Sequence, residues 1–112
     1  MKISRFEDIQ AWQAARGLCR VVYELSGESQ FAKDFGLRDQ ARRAAVSIMA
    51  NISEGFDCNS NQEFIQFLSY ALRSASELQS HFYVAQDQGY VMRSQFDEVY
   101  EGAGKVKRMI FG

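Results

Sequence analysis

Apolar residues recur along this chain at alternating spacings of four and three. They are Ala11, Ala15, Leu18, Val22 and Leu25 in a first segment and Leu37, Ala41, Ala44 and Ile48 in a second. A third carries Phe64, Leu68, Ala71, Ala75, Leu78, Phe82 and Ala85, and a fourth Phe96, Val99, Ala103, Val106 and Ile110. At 100° per residue each set stays on one face, so each segment predicts an amphipathic helix with one buried seam. The stretches SGESQFAKDFG, FDCNSN and DQGYVMRS fall between the segments and predict the connections. Ser4 with Glu7 and Ser60 with Glu63 match the capping box, in which hydroxyl and carboxylate each satisfy an orphan amide at a helix start. Asp34 is placed to cap the second helix. Short connections between long helices favour antiparallel neighbours, so the expected fold is all-α: an antiparallel up-down-up-down four-helix bundle, one domain over residues 1–112.

The second seam breaks its own rule. Its next position by heptad count is Asn51, where a core expects an apolar side chain. Gln40, Arg43, Ser47, Asn51 and Glu54 share a sector of about 80° that borders the apolar face. The third helix has a matching border of Glu63, Tyr70, Ser74, Glu77 and His81. A half-buried amide or carboxylate costs a few kcal/mol unless it is partnered. The two borders are therefore expected to face and bond each other, with further partners at Arg42, Arg43 or the backbone of Gly55. A polar residue at a seam position fixes register and oligomer state, so Ser47, Asn51, Glu54, Gly55, Glu63, Ser74 and Glu77 are expected to be structural.

Composition removes most chemical alternatives. The 112 residues hold one His, two Cys and no Pro, with a formal net charge of −1. Cys19 and Cys58 lie far apart without CxxC spacing, which points to neither a disulfide framework nor a zinc site. A di-iron bundle needs two Glu-x-x-His pairs, whereas here His81 follows Glu77 by four residues and stands alone. Ser47 and Ser74 lack a second histidine or a GxSxG motif, and there is no Gly-rich phosphate loop. No catalytic residue, metal or cofactor is expected, and Glu54, Glu63, Glu77 and His81 form the set that a metalloprotein would have to use. No apolar run approaches the ~20 residues of a membrane span and the start carries acids, so a soluble cytoplasmic protein is expected. Between Asp57 and Glu101 the only bases are Arg73 and Arg93, while the tail holds Lys105, Lys107 and Arg108. Nucleic acid could then be met only locally, by Arg38, Arg42, Arg43, Lys105, Lys107 and Arg108. Nine Phe, five Tyr and one Trp exceed what four seams use. Trp12, Phe67, Tyr70 and Tyr83 fall beside the seams, as expected for surfaces buried between subunits.

Set in order, FEDIQAWQAA, FGLRDQARRAAVSIMANISEG, EFIQFLSYALRSASELQSHF and GYVMRSQFDEV give the chain a resemblance to the 23S rRNA intervening-sequence protein family over nearly its whole length. The block from Ser47 through Asn51, Glu54 and Gly55 to Glu63, Ser74 and Glu77 carries most of it. The resemblance implies a small bundle, encoded in some bacteria within insertions in large ribosomal RNA genes and assembling in related proteins as a homopentameric ring. A related branch, the accessory variability proteins of diversity-generating retroelements, is similarly ring-shaped and associates with reverse transcriptase and nucleic acid. No catalytic activity is attached to the family. After SEG the present chain reads FDCNSNQ, with an acid and no base, so that loop is not expected to meet phosphate. The expected function is an oligomeric, non-enzymatic scaffold: a homopentamer with the first and third helices supplying much of the contact, acting on protein or RNA partners. A nucleic-acid-binding accessory using a local basic patch on the ring is the alternative.

Overall fold

In a computed structural model, which describes residues 3–111, the periodic segments are helices and no strand occurs among those residues. The four long helices are α1 (Gln10–Ser26), α3 (Phe35–Phe56), α4 (Asn61–Asp87) and α5 (Arg93–Phe111), and a short α2 (Ser29–Lys33) lies between the first two. Helix α3 packs against α1 and α4, and α5 against the same two, so the seams meet in one core. All five seam residues of α1 are buried. So are Ala71, Ala75, Leu78, Phe82 and Ala85 of α4 and Phe96, Val99, Ala103 and Val106 of α5. Leu37, Phe64, Leu68 and Ile110, nearer the ends of the seams, are half-buried. Among the described residues no helix is long and apolar enough to cross a membrane.

Two of the expected caps form. Asp34 Oδ1 accepts the Leu37 amide at 3.2 Å, and Ser60 Oγ accepts the Glu63 amide at 3.2 Å. The Glu63 carboxylate takes the Ser60 hydroxyl at 3.3 Å instead of a backbone amide, so the box is half complete. The pair Ser4 and Glu7 does not cap a helix. A 3₁₀ turn, Phe6–Asp8, intervenes, Ile9 is extended, and α1 begins only at Gln10. The Phe6 ring packs edge-on to Trp12 at 5.1 Å and thereby holds the turn against α1. The Ser4 amide donates to Asp8 Oδ2 at 3.2 Å.

The first connection is more than a linker. Within it α2 presents Phe31 to the core, fully buried, 5.8 Å from the Phe82 ring and stacked at 5.5 Å on Tyr90. A stretch that is mostly polar disguises this plug in the sequence. The Tyr90 hydroxyl in turn donates to Asp34 Oδ2 at 3.0 Å, so one carboxylate caps α3 and anchors the connection that follows α4.

The bond to Asp34, with desolvation and the carboxylate charge adding to it, raises the Tyr90 phenol above its ordinary range. The fold thus favours the neutral phenol, and its contribution is complete below the unfolded tyrosine pKa of about 10 and is lost as pH rises through the higher folded value. Melting curves of the wild type and Tyr90→Phe should therefore keep a constant separation below about pH 9 and converge or cross at more alkaline pH. A separation that does not change up to pH 11 would show that the bond contributes nothing.

Candidate functional site

The two polar borders do meet, at three residues. Ser74, buried on α4, donates its hydroxyl to Ser47 Oγ on α3 at 2.9 Å. Asn51 Nδ2 donates to the same oxygen at 3.0 Å and to the Ser47 carbonyl at 2.8 Å. Asn51 is half-buried beside the seam, which continues instead through Ile52 and Gly55. Its bonds run one turn back along its own helix, and the crossing to α4 is made by the two serines. Gly55 is needed for its size: a Cβ there would lie 3.1 Å from both Phe64 Cδ1 and Phe67 Cβ. The remaining members do not join the bridge.

Glu54 is exposed, which corrects the expectation of a half-buried carboxylate with partners in the stripe. On the helical wheel it lies about 20° outside Ser47 and about 60° outside Asn51, turned toward the exposed Arg43. Glu63 and Glu77 are likewise exposed. Glu77 Oε2 stands 3.8 Å from His81 Nε2, too long for a hydrogen bond, and that buried nitrogen has no partner among the described residues. No three His, Cys, Asp or Glu among the described residues are placed to hold a metal ion. Burial raises the Cys19 thiol, and partial desolvation with the Glu63, Asp57 and Glu54 charges raises Cys58, so neither is a ready thiolate at neutral pH. The bridge is thus a hydrogen-bonded link between α3 and α4, and its three residues do not place a nucleophile, base and orienting group in line. Asn51→Leu should keep the helical fold and shift stability by no more than about 1 kcal/mol, because the Ser47 carbonyl retains its backbone role. Glu54→Ala should leave the stability within about 0.5 kcal/mol of the wild type. Thermal unfolding followed by circular dichroism checks both.

The basic residues do not form one patch. Arg42 Nε donates to the fully buried Ser26 Oγ at 2.8 Å and its Nη2 to the Tyr23 carbonyl at 3.4 Å, with the guanidinium 4.6 Å from the Tyr23 ring centroid. It thus caps the C-terminal end of α1. Arg38 bonds the Ala32 carbonyl of α2 at 3.2 Å and pairs with Asp39 at 2.9 Å. These two cations are committed within the fold. Lys107 donates to Gln79 Oε1 on α4 at 2.8 Å, and Gln79 Nε2 donates to the Tyr100 carbonyl at 3.0 Å, so Gln79 joins α4 to α5 twice. Arg43, Lys105 and Arg108 remain exposed. Arg108 borders a surface depression with Asp8, Ile9 and Ala11, at the opposite end of α1 from Arg42. The two triads are therefore separated by the length of a 17-residue helix, roughly 25 Å.

The lateral aromatics divide in the same way. Trp12 is half-buried under Phe6, with Arg16 5.9 Å from its ring centroid, and Phe67 is half-buried beside Tyr70. Tyr70 and Tyr83 are exposed, but thirteen residues on one helix turn them about 140° apart, onto different flanks of α4. Tyr83 belongs to a cluster with Phe96 and Tyr100 at ring separations of 4.8 and 5.9 Å, a second partner that the seam count of α5 does not show. Sequence reasoning also missed Ser26, although it lies four residues after Val22 on the buried face of α1.

No curated protein matches the chain. Among solved structures it is similar to a crystal structure of a protein of unknown function from the S23 ribosomal protein family of Bacteroides thetaiotaomicron. The TM-score is 0.82 and the identity 24%, over 90% of this chain and 94% of that one. At that identity the likeness is one of fold. The sequence pattern described as 23S rRNA-intervening sequence protein matches residues 7–112, from the 3₁₀ turn through α5, and the chain accordingly belongs to that family.

Proposed function

We propose that this chain is a non-enzymatic helical scaffold that assembles with itself and acts in the cytoplasm through its surfaces on protein or RNA partners. The observation that carries the reading is the set of apolar side chains left in solvent on the flanks of the bundle, Tyr70 on one side of α4 and Tyr83 with Tyr100 on the other. Monomers seldom expose several such patches, and symmetric assembly covers them. An antiparallel up-down-up-down order is part of this reading. It is supported by Ser26 at the end of α1 meeting Arg42 near the start of α3, and by mid-helix Ser47 meeting mid-helix Ser74. The number five rests on the resemblance to ring-forming relatives. Light scattering coupled to size exclusion should give a mass near five chains of 12.8 kDa. A dimer or tetramer would overturn the ring, and a stable monomer the scaffold as a whole. If the bridge also fixes assembly, Asn51→Leu should change that mass while leaving the helix content intact.

A nucleic-acid-binding accessory is the second reading, favoured by exposed Arg43 and by exposed Lys105 and Arg108 near the other end of α1. Repetition around a ring would multiply contacts that are few on each subunit. Its mark is an affinity that falls steeply as salt rises, because each neutralised phosphate releases counterion. A labelled rRNA fragment that does not shift even at low salt would remove it.

A further inference from the structure

The connection from α3 to α4 holds the one asparagine of three that lies outside a helix. Asn51 is within α3 and Asn61 opens α4, whereas Asn59 stands exposed in the connection and is followed by the small residue Ser60. Asparagine is a thermolabile residue, because its side-chain carbonyl carbon can be attacked by the backbone nitrogen of the next residue. The attack needs that amide free of hydrogen bonds, a non-helical backbone at the asparagine and little bulk on the following side chain. All three conditions hold at Asn59. The last amides tied to α3 are those of Asp57, bonded to the Ser53 carbonyl at 3.3 Å, and Cys58, bonded to the Gly55 carbonyl at 3.2 Å. Among the described residues the Ser60 amide has no acceptor. The half-complete capping box is the reason: a complete box would place the Glu63 carboxylate on that amide, and here the carboxylate takes the Ser60 hydroxyl. Asn51 and Asn61 are held in helical backbone, and the amide after Asn51 is bound into the ladder of α3.

We infer that Asn59 is a self-modification site, at which the Ser60 backbone nitrogen closes on the Asn59 side chain and water then converts residue 59 to aspartate or isoaspartate. In the first step the bond from Ser60 N to Asn59 Cγ forms and the bond from Cγ to Nδ2 breaks. The Ser60 amide proton leaves with Nδ2 as ammonia, and a cyclic imide remains. In the second step water adds to one of the two imide carbonyls. Cleavage between Cγ and the nitrogen gives aspartate on the original backbone, whereas cleavage between the Asn59 carbonyl carbon and the nitrogen gives isoaspartate, with the chain running through Cγ. Nothing is oxidised or reduced, and water reaches the site because both residues are exposed and line a groove with Cys58 and Phe64. Either product adds a carboxylate to a stretch that already carries Glu54, Asp57 and Glu63 and has no base. Aspartate just ahead of the α4 cap suits the helix dipole and leaves the fold intact. Isoaspartate inserts an extra backbone atom there and draws the Ser60 hydroxyl away from the Glu63 amide that it caps.

The test is to hold the folded protein in mildly alkaline buffer at physiological temperature for days. Digestion and mass spectrometry then follow each asparagine, with electron-transfer fragmentation separating aspartate from isoaspartate. Asn59 should convert several times faster than Asn51 and Asn61, and at nearly the rate it shows in the chain unfolded by guanidinium. A folded rate at Asn59 far below the unfolded one would show that the fold protects it and would overturn the inference. Asn59→Gln should stay folded and lose the acidic species that ion exchange resolves on ageing, since glutamine must close a larger and slower ring. If that variant ages to the same acidic species, the change lies elsewhere and the inference falls. Glu63→Ala should leave the rate at Asn59 unchanged, and a marked rise would mean that the carboxylate had covered the Ser60 amide, contrary to the proposal.

Discussion

Truncating Phe31 to Ala should lower the stability of the fold by about 3–5 kcal/mol, the range found when a buried phenylalanine is removed and its cavity persists. The ring is fully enclosed between Phe82 and Tyr90, and it is held there by a five-residue helix with little else to attach it. Collapse into the void is hindered because Tyr90 is tethered to Asp34, which is itself fixed by capping α3. Urea unfolding gives the measurement, with Phe35→Ala as the control: Phe35 is four residues away and 64% exposed, and its loss should shift stability by no more than about 0.5 kcal/mol. Equal effects at the two positions would mean that α2 does not seal the core.

Arg42→Ala should cost about 2–3 kcal/mol, although arginines on helix surfaces are usually replaceable. The guanidinium meets the buried Ser26 hydroxyl and the Tyr23 carbonyl at the end of α1, and the substitution removes a charged donor from both, leaving the carbonyl with the Gly27 amide at 3.1 Å and the hydroxyl with only its long bond of 3.5 Å to that carbonyl. Arg42→Lys should recover only part of the loss, because an ammonium lacks the planar fork that serves the two acceptors together and lies against the Tyr23 ring. In a double-mutant cycle with Ser26→Ala the two losses should add to more than the combined variant shows, since removing both partners leaves no orphan. Strict additivity would mean that the bond contributes nothing of its own.

The helical fold was legible because period 3.6 dominates every long segment, and the buried residues of α1, α4 and α5 lie where the spacing puts them. What escaped was everything decided by direction. Ser47, Asn51 and Ser74 could be grouped from the helical wheel, but the wheel cannot tell that Asn51 bonds backward along α3 while Ser74 crosses to it. Glu54 shared their sector, and a few tens of degrees put it in solvent. Phe31 was hidden for a different reason: five residues are too short to show a period, so a single buried ring among polar neighbours reads as a loop. The basic residues were found as a set, yet charge alone does not reveal that Arg38 and Arg42 are already occupied by carbonyls of the first two helices. Tyr83 was marked as lateral, but its partnership with Tyr100 depends on how α4 and α5 pack.

The connections of this bundle are not equivalent as pieces of chain. Between α1 and α3 the backbone is pinned at its midpoint by the Phe31 ring, so added residues there must either displace that ring or lengthen a path whose middle cannot move. Between α3 and α4 the four residues from Asp57 to Ser60 bury no side chain fully. Added length at that point meets only the slow logarithmic cost of closing a larger loop. Evolutionary or engineered growth of the fold is therefore directed to one end of the molecule, beside Cys58, while the end sealed by Phe31 keeps a fixed outline.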